Sequence, residues 1–129
     1  MNVHGGGSLH PHLPELLGTN AHRAGDEKSH RDTTHVVMAI KSIPGIEAGE
    51  QGMVISHHHQ GIEMVATTLE VWARSPDGLA EGLRRKDTLN YPCYLGVQWH
   101  PERSKKNQPF VESLGEFFVH SMIEYSTTK

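Results

Sequence analysis

Tyr94-Leu95-Gly96-Val97-Gln98-Trp99-His100-Pro101-Glu102 is a short apolar run that stops abruptly at a histidine, a proline and a carboxylate. Leu95, Val97 and Trp99 alternate with Gly96 and Gln98, which is the period of a β-strand. Pro101 has no N–H and cannot continue a central ladder, so the strand ends at His100. Glu102 follows across a proline that fixes the local backbone, near enough to turn back and accept a hydrogen bond from one imidazole nitrogen. The other nitrogen is then left free. A carboxylate-oriented histidine beside a nucleophile is the base half of a nucleophilic triad. Taken alone, a His-Pro-Glu match is more often a polar strand end followed by a solvated carboxylate; the neighbouring segments reverse those odds.

Outward from this strand the chain reads as a polar lead followed by strands and helices. Met1 to Leu9 reads as a helix end and a glycine turn, Pro11 to Leu17 as a short helical turn, and Gly18 to Thr34 as a loop without apolar period. His35 to Ile40 is a strand, Pro44-Gly45 a turn, and Met53 to Ser56 a second strand that delivers a run of histidines to its C-terminal end. Ile62, Val65 and Ala66 are spaced as an apolar stripe on a short helix. Leu69 to Arg74 alternates, Ser75-Pro76-Asp77-Gly78 is a turn because proline presets its dihedral and glycine accepts positive φ, and Leu79 to Arg84 should return antiparallel. Pro109 opens a helix on which Phe110, Leu114, Phe117, Phe118 and Met122 recur at helical spacing as a core stripe. The alternation predicts an α/β layered domain.

Gly96-Val97-Gln98-Trp99-His100-Pro101-Glu102 resembles the signature that ends the catalytic domain of class I glutamine amidotransferases. Three further segments are similar to one branch, the gamma-glutamyl-gamma-aminobutyrate hydrolase family. Val54-Ile55-Ser56-His57-His58-His59-Gln60 resembles its Val-Asn-Ser-x-His-His-Gln segment, Ser75-Pro76-Asp77-Gly78-Leu79 its Ser-Pro-Asp-Gly hairpin, and Asn2-Val3-x-x-Gly6-Gly7-Ser8-Leu9 the stretch following its nucleophile. Ile55 departs from the family's common Asn, and Pro11 from a frequent Gln. The resemblance implies a flavodoxin-like class I amidotransferase domain, a mixed sheet with flanking helices, of which this chain supplies the C-terminal half as a single partial domain over residues 1–129.

That implication sets the expected chemistry. In the family the nucleophilic cysteine sits on a Gly-x-Cys-x-Gly elbow just before the position matched by Asn2, with the oxyanion-hole glycines earlier still, so neither is expected in this chain. His100 and Glu102 are the expected catalytic pair, and the resemblance gives His58, His59 and Gln60 the role of positioning the glutamyl part of the substrate. From the residues alone, the same run could be a helix N-terminus capped by Ser56. Both runs follow strands, and ligands of open α/β sheets collect at strand C-termini. Cys93, the only cysteine, is a nucleophile candidate on counting alone. It has no flanking glycines for an elbow, and extended chain separates it from His100 by roughly 20 Å or more. An ordinary buried or half-buried thiol is expected there.

At 129 residues, with 36% hydrophobic and 6% aromatic content, the chain can build one lean core. A net charge of −3 gives no basic stripe, and Arg84-Arg85-Lys86 with Lys105-Lys106 are too short to track a phosphate backbone. Nucleic acid is not an expected partner. No apolar run approaches a membrane span, no signal segment opens the chain, and one cysteine makes no disulfide framework, so the cytoplasm is the expected compartment. The eleven histidines are scattered: His4, His10, His12, His22, His30 and His35 share no repeat that would face them together, and consecutive residues such as His57 to His59 diverge on any regular element. No cofactor and no metal site are expected.

Two readings follow. In the first the chain is the His/Glu-bearing part of a gamma-glutamyl amide hydrolase, inactive alone, whose partners are a gamma-glutamyl small molecule and an N-terminal half-domain or a second copy that covers an unpaired sheet edge. In the second it is a catalytically inert remnant serving as a binding module.

Overall fold

In the computed structural model, which describes residues 1–19, 21–23, 32–105 and 107–127, seven strands make one sheet. They are β1 (Leu9–His10), β2 (Thr33–Ala39), β3 (Gln51–Ser56), β4 (Gly61–Ile62), β5 (Leu69–Arg74), β6 (Ala80–Arg85) and β7 (Leu95–Val97). The order is β1-β4-β6-β5-β2-β3, with β7 also paired to β6. A five-residue helix, α1 (Leu13–Leu17), follows β1, and the long helix α2 (Val111–Thr127) comes after the last strand.

The α/β architecture is the expected one and is consistent with a portion of a glutamine amidotransferase-like domain. The expected mixed pairing needs correction, because every pairing among the described residues is antiparallel. The connections explain it. Parallel neighbours need a crossover of a dozen or more residues, whereas β5 and β6 are joined by the tight Ser75–Leu79 hairpin, in which Gly78 takes φ 88° and its N–H reaches Ser75 O at 2.9 Å. Among the described residues no helix lies between β2 and β7.

The hairpin strands β5 and β6 carry two opposite register shifts. Val71 pairs Leu83 and Ala73 pairs Gly82, leaving Trp72 extra on β5; Arg74 then pairs Ala80, leaving Glu81 extra on β6. Bulges of this kind re-aim side chains. The first turns Trp72 and Ala73 together into the main core with Val37, Ala39, Ile43, Ile46, Val54, Trp99, Phe110 and Leu114. A second core of Ala66, Leu69, Val71, Ala80 and Leu83 forms on Ile62, Val65 and Tyr94. Trp72 is fully buried because Gly82 has no side chain: a Cβ there would stand 2.4 Å from the indole Cε2.

Three local expectations change. Ile62 lies on β4, and Val65 and Ala66 in the irregular loop that follows, so their stripe is strand and loop packing on the second core rather than a helix. On α2 only Phe110, just before the helix, and Leu114 are buried; Phe117 is half-buried, and Phe118 and Met122 are 59% and 57% exposed. Helical spacing was present, but the sheet reaches only the first turn of the helix. Phe110 takes a left-handed backbone (φ 67°), a conformation uncommon for an aromatic residue, and in doing so seats its ring 6.0 Å from that of Trp99. The expected loop from Gly18 to Thr34 ends earlier, since Thr33 opens β2; its middle, with His30, lies outside the described residues. Among the described residues no helix is long and apolar enough to cross a membrane.

Candidate active site

The strand that opened the sequence reading ends as its composition requires. β7 pairs with β6 only to Val97, after which the Gln98 N–H donates to Glu81 O at 2.8 Å and the His100 N–H to Ile55 O at 2.9 Å. Between them Trp99 is buried, packed edge-on against Trp72 at 5.7 Å. Pro101–Arg103 then forms one 3-10 turn, closed by Ser104 N–H to Pro101 O. That turn folds Glu102 back onto the histidine, and His100 Nδ1 meets Glu102 Oε1 at 2.8 Å. A carboxylate accepts only, so Nδ1 is the protonated nitrogen and Nε2 carries the lone pair. The hydrogen bond from His100 holds the Glu102 carboxyl below the usual carboxylate range, which keeps it ionised as the acceptor. The His100 side chain is 29% exposed, so it is anchored at its root and open at its tip.

The second run, Ser56 to Gln60, lies beside this strand end. The Gln98 amide donates to Gln60 O at 3.1 Å, and His58 Nδ1 shares that carbonyl at 2.8 Å. His59 and Gln60 are exposed, the His59 ring 5.9 Å from that of His12. No helix follows Ser56, so it is not a helix cap. Its buried hydroxyl donates to His22 O at 3.0 Å, and the His58 N–H reaches the same carbonyl at 3.0 Å. The inner face of the His58 ring is turned to the interior, where Nε2 stands 3.5 Å from Glu81 Oε1.

Glu81 is the centre of a buried polar cluster. Its side chain is fully enclosed, and around Oε1 stand His22 Nδ1 at 3.2 Å, His58 Nε2 at 3.5 Å and His35 Nε2 at 3.8 Å. None of these separations has hydrogen-bond geometry, and both Glu81 oxygens and all three nitrogens lack a hydrogen-bond partner among the described residues. On the far side of its ring, His22 Nε2 meets Asp77 Oδ2 at 2.7 Å. Burial by itself pushes Glu81 up, but the close imidazoles of His22, His58 and His35 outweigh it and hold the carboxyl below its ordinary value. Burial likewise pushes His22 down, and Glu81 with Asp77 reverses that, leaving it raised. For His35 burial wins and the ring is lowered.

A profile of the peptidase C26 family matches residues 1–102. The chain belongs to the peptidase C26 family. Relatives agree with that placement. A Mycobacterium tuberculosis protein provisionally named a glutamine amidotransferase is 41% identical over 105 residues, covering 81% of this chain and 32% of the relative. A fission yeast (Schizosaccharomyces pombe) protein, also provisionally named a glutamine amidotransferase, is 35% identical over 124 residues, covering 93% of this chain and 46% of the relative. Gamma-glutamyl-gamma-aminobutyrate hydrolase of Escherichia coli strain K12 is 34% identical over 131 residues, covering 88% of this chain and 46% of the enzyme. The chain thus spans between about a third and a half of the length of these relatives. Its family is class I glutamine amidotransferase-like, as the motifs implied.

Within this C26 domain portion, the expected contact between His100 and Glu102 is present, because both residues sit in one local motif. The sequence reading missed the gathering of His22, His35 and His58 on Glu81. The histidines lie on a segment before β2, on β2 and after β3, so no sequence window contains them; the one available signal was Glu81 itself, a charged residue between apolar positions of a hairpin strand. Cys93 is exposed rather than buried. It sits in the turn before β7, where Tyr91 and Tyr94 stack around Arg85 at 4.4 and 5.0 Å and leave the thiol outside.

Proposed function

We propose that this chain supplies the general base of a gamma-glutamyl amide hydrolase, and that the nucleophilic thiol it serves is not Cys93. The observation that carries the reading is the 2.8 Å contact between His100 Nδ1 and Glu102 Oε1 at an open strand end, which leaves Nε2 free to accept a proton. His100 Nε2 takes the proton of a cysteine thiol; the thiolate attacks the gamma-carbonyl, and the imidazolium gives that proton to the departing amine. The same nitrogen then removes a proton from the water that hydrolyses the thioester, and Glu102 keeps the ring in the working tautomer throughout. His59 and Gln60, exposed beside this strand end, are proposed to position the glutamyl group. His58 contributes to substrate binding by fixing the backbone of that run through its bond to Gln60 O. The substrate is a small gamma-glutamyl amide, and the reaction needs no cofactor.

Cys93 stands at the entry of β7 and His100 beyond its exit, so the thiol and its base approach the strand from opposite ends. The thiol is therefore assigned to a Gly-x-Cys-x-Gly segment that joins this chain, in line with the relatives' greater length. The test is to combine the chain with an N-terminal half-domain carrying such an elbow and to follow hydrolysis of a gamma-glutamyl anilide. Activity should appear with the complex, vanish in His100→Ala, fall by roughly 10² to 10⁴ in Glu102→Ala, and survive Cys93→Ser. A folded complex that stays inactive, or activity that persists in His100→Ala, would leave the chain as an inert binding module.

A further inference from the structure

The cluster around Glu81 presents a problem of missing positive charge. Each histidine has one ring nitrogen committed to an acceptor that cannot donate: His22 Nε2 to the Asp77 carboxylate at 2.7 Å, His35 Nδ1 to Val36 O at 3.1 Å, and His58 Nδ1 to Gln60 O at 2.8 Å. Those nitrogens therefore carry the ring protons. The opposite nitrogens, His22 Nδ1, His35 Nε2 and His58 Nε2, are left as bare lone pairs, and all three point at a fully enclosed carboxylate. Lone pairs of four groups converging on an enclosed carboxylate repel one another unless a cation lies between them.

A proton is the simplest such cation, and it fits poorly. One added to His22 Nδ1 would point at Glu81 Oε1, yet that 3.2 Å separation lacks hydrogen-bond geometry. It would also serve one nitrogen and leave those of His35 and His58 facing the carboxylate as before. Three imidazolium rings with centroids 4.4 to 6.3 Å apart would repel one another strongly.

We propose that His22, His35, His58 and Glu81 bind one divalent metal ion, zinc(II), in a closed four-ligand centre. The four donor atoms lie within 4.8 Å of one another. Zinc with bonds of about 2.0–2.2 Å in tetrahedral geometry spaces its ligand atoms by roughly 3.4 Å, so the 3.2, 3.5 and 3.8 Å separations from Glu81 are close to that spacing, and the imidazole nitrogens, within 4.8 Å of one another, have to draw in by at most about 1.4 Å through side-chain rotation. The outer bonds have the form of a metal site's supporting shell, in which each ligating imidazole donates its other N–H to a carboxylate or a backbone carbonyl and so fixes its tautomer. The charges also balance: one dication with Glu81 and Asp77 is neutral overall, as burial demands. Three imidazoles and a carboxylate suit zinc better than the harder cations. Four protein ligands leave no coordination position for water or substrate, so the role is structural. The ion would tie the His22 segment, β2, the run after β3 and the bulge of β6 into one unit.

The experiment strips the chain with EDTA and titrates zinc against a competing chelator, with metal content by mass spectrometry, thermal unfolding and the visible spectrum of the cobalt(II) form as further readouts. One tight equivalent should bind and raise the melting temperature. Asp77→Asn should weaken it by about 10- to 100-fold, and Glu81→Gln and His35→Ala should weaken it further. A His4→Ala/His120→Ala double variant, which removes exposed histidines, should bind as the parent does. Cobalt should give the intense absorption of tetrahedral coordination. This last readout needs no variant, so it decides the matter even if Glu81→Gln does not fold. If the parent chain holds no more zinc than Glu81→Gln, if the exposed-histidine variant loses the equivalent, or if cobalt shows the weak spectrum of octahedral coordination, the proposal is overturned. None of these readouts depends on gamma-glutamyl hydrolysis.

Discussion

Replacing Gly82 with alanine should unsettle the core and the strand end that carries His100 together. An added Cβ would stand 2.4, 2.6 and 2.9 Å from Cε2, Nε1 and Cζ2 of Trp72, a ring with no exposed surface. Ordinary contact begins near 3.4 Å, so the indole or strand β6 must shift by about 1 Å. The indole has nowhere to go without displacing Trp99, whose ring lies 5.7 Å away and whose backbone leads into His100. Overpacking of an enclosed site costs about 1–3 kcal/mol, and the smaller backbone entropy of alanine in the unfolded chain returns about 0.5–1 kcal/mol at most. A net loss of about 1–2 kcal/mol is expected, read as a lower midpoint in urea with unchanged slope. The decisive comparison is a double-mutant cycle with Trp72→Leu, where the ring that makes the clash is gone and the same substitution should cost a few tenths of a kcal/mol or less. Equal losses in the two backgrounds would show that the clash with Trp72 is not the cause, and the account of the hairpin would be wrong.

Two further outcomes follow from the same contacts. Asn2 is buried, and its side chain donates to Ser8 O and Met64 O at 3.0 and 2.9 Å and accepts from the Ala66 N–H at 2.9 Å; Asn2→Ala should cost about 2–4 kcal/mol by leaving these groups unpaired, and hydrogen exchange at the Ala66 amide should accelerate with it. Glu70 is held below its usual value of 4.5 by the hydrogen bond from Lys41 and then by Arg84, whose Nε lies at 2.7 Å. A depressed carboxyl stabilises the fold above its unfolded pKa and loses that contribution as pH falls through the folded one, so parent and Glu70→Gln should differ by about 0.5–1 kcal/mol near pH 6 and converge towards about pH 3; a gap that stays constant over that range would refute the assignment.

The legible parts of this fold are those written in consecutive residues. Proline and glycine at 76 and 78 mark a hairpin, alternation marks β5, and Pro101 marks a strand stop. Each depends on the backbone chemistry of a few neighbours, which a sequence states directly. What stayed hidden depended on pairing. The apolar period of α2 is real, but how much of the helix the core covers depends on packing partners distant in sequence, and only Phe110 and Leu114 reach the core while Phe118 and Met122 are exposed. The stripe at Ile62, Val65 and Ala66 has helical spacing only because a two-residue strand and the loop after it mimic that period over so short a stretch. His22 and His35 read as scattered, and His58 as one of three diverging neighbours, because sequence distance does not state sheet order: β2 and β3 are neighbours, and the His22 carbonyl is held by Ser56 at the end of β3.

The two register shifts of the β5–β6 hairpin connect these observations. A regular hairpin would alternate Trp72 and Ala73 to opposite faces and carry Glu81 in step with its neighbours. The extra residue at Trp72 sends the indole to the side of Trp99 and α2, and the compensating extra residue at Glu81 restores the register while releasing that carboxylate from the ladder's pairing. The Glu81 carbonyl accepts from the Gln98 N–H, and Gln98 is also the residue whose side chain fastens the Gln60 carbonyl. Trp72, which packs against the Trp99 that precedes His100, and the carboxylate that faces the histidines each sit at one of these two shifts, and the Glu81 carbonyl holds Gln98, which steadies the run before β4. Deleting residues 72 and 81 would regularise the ladder only by removing the indole and the carboxylate themselves, so each irregularity and the side chain it carries act as one feature.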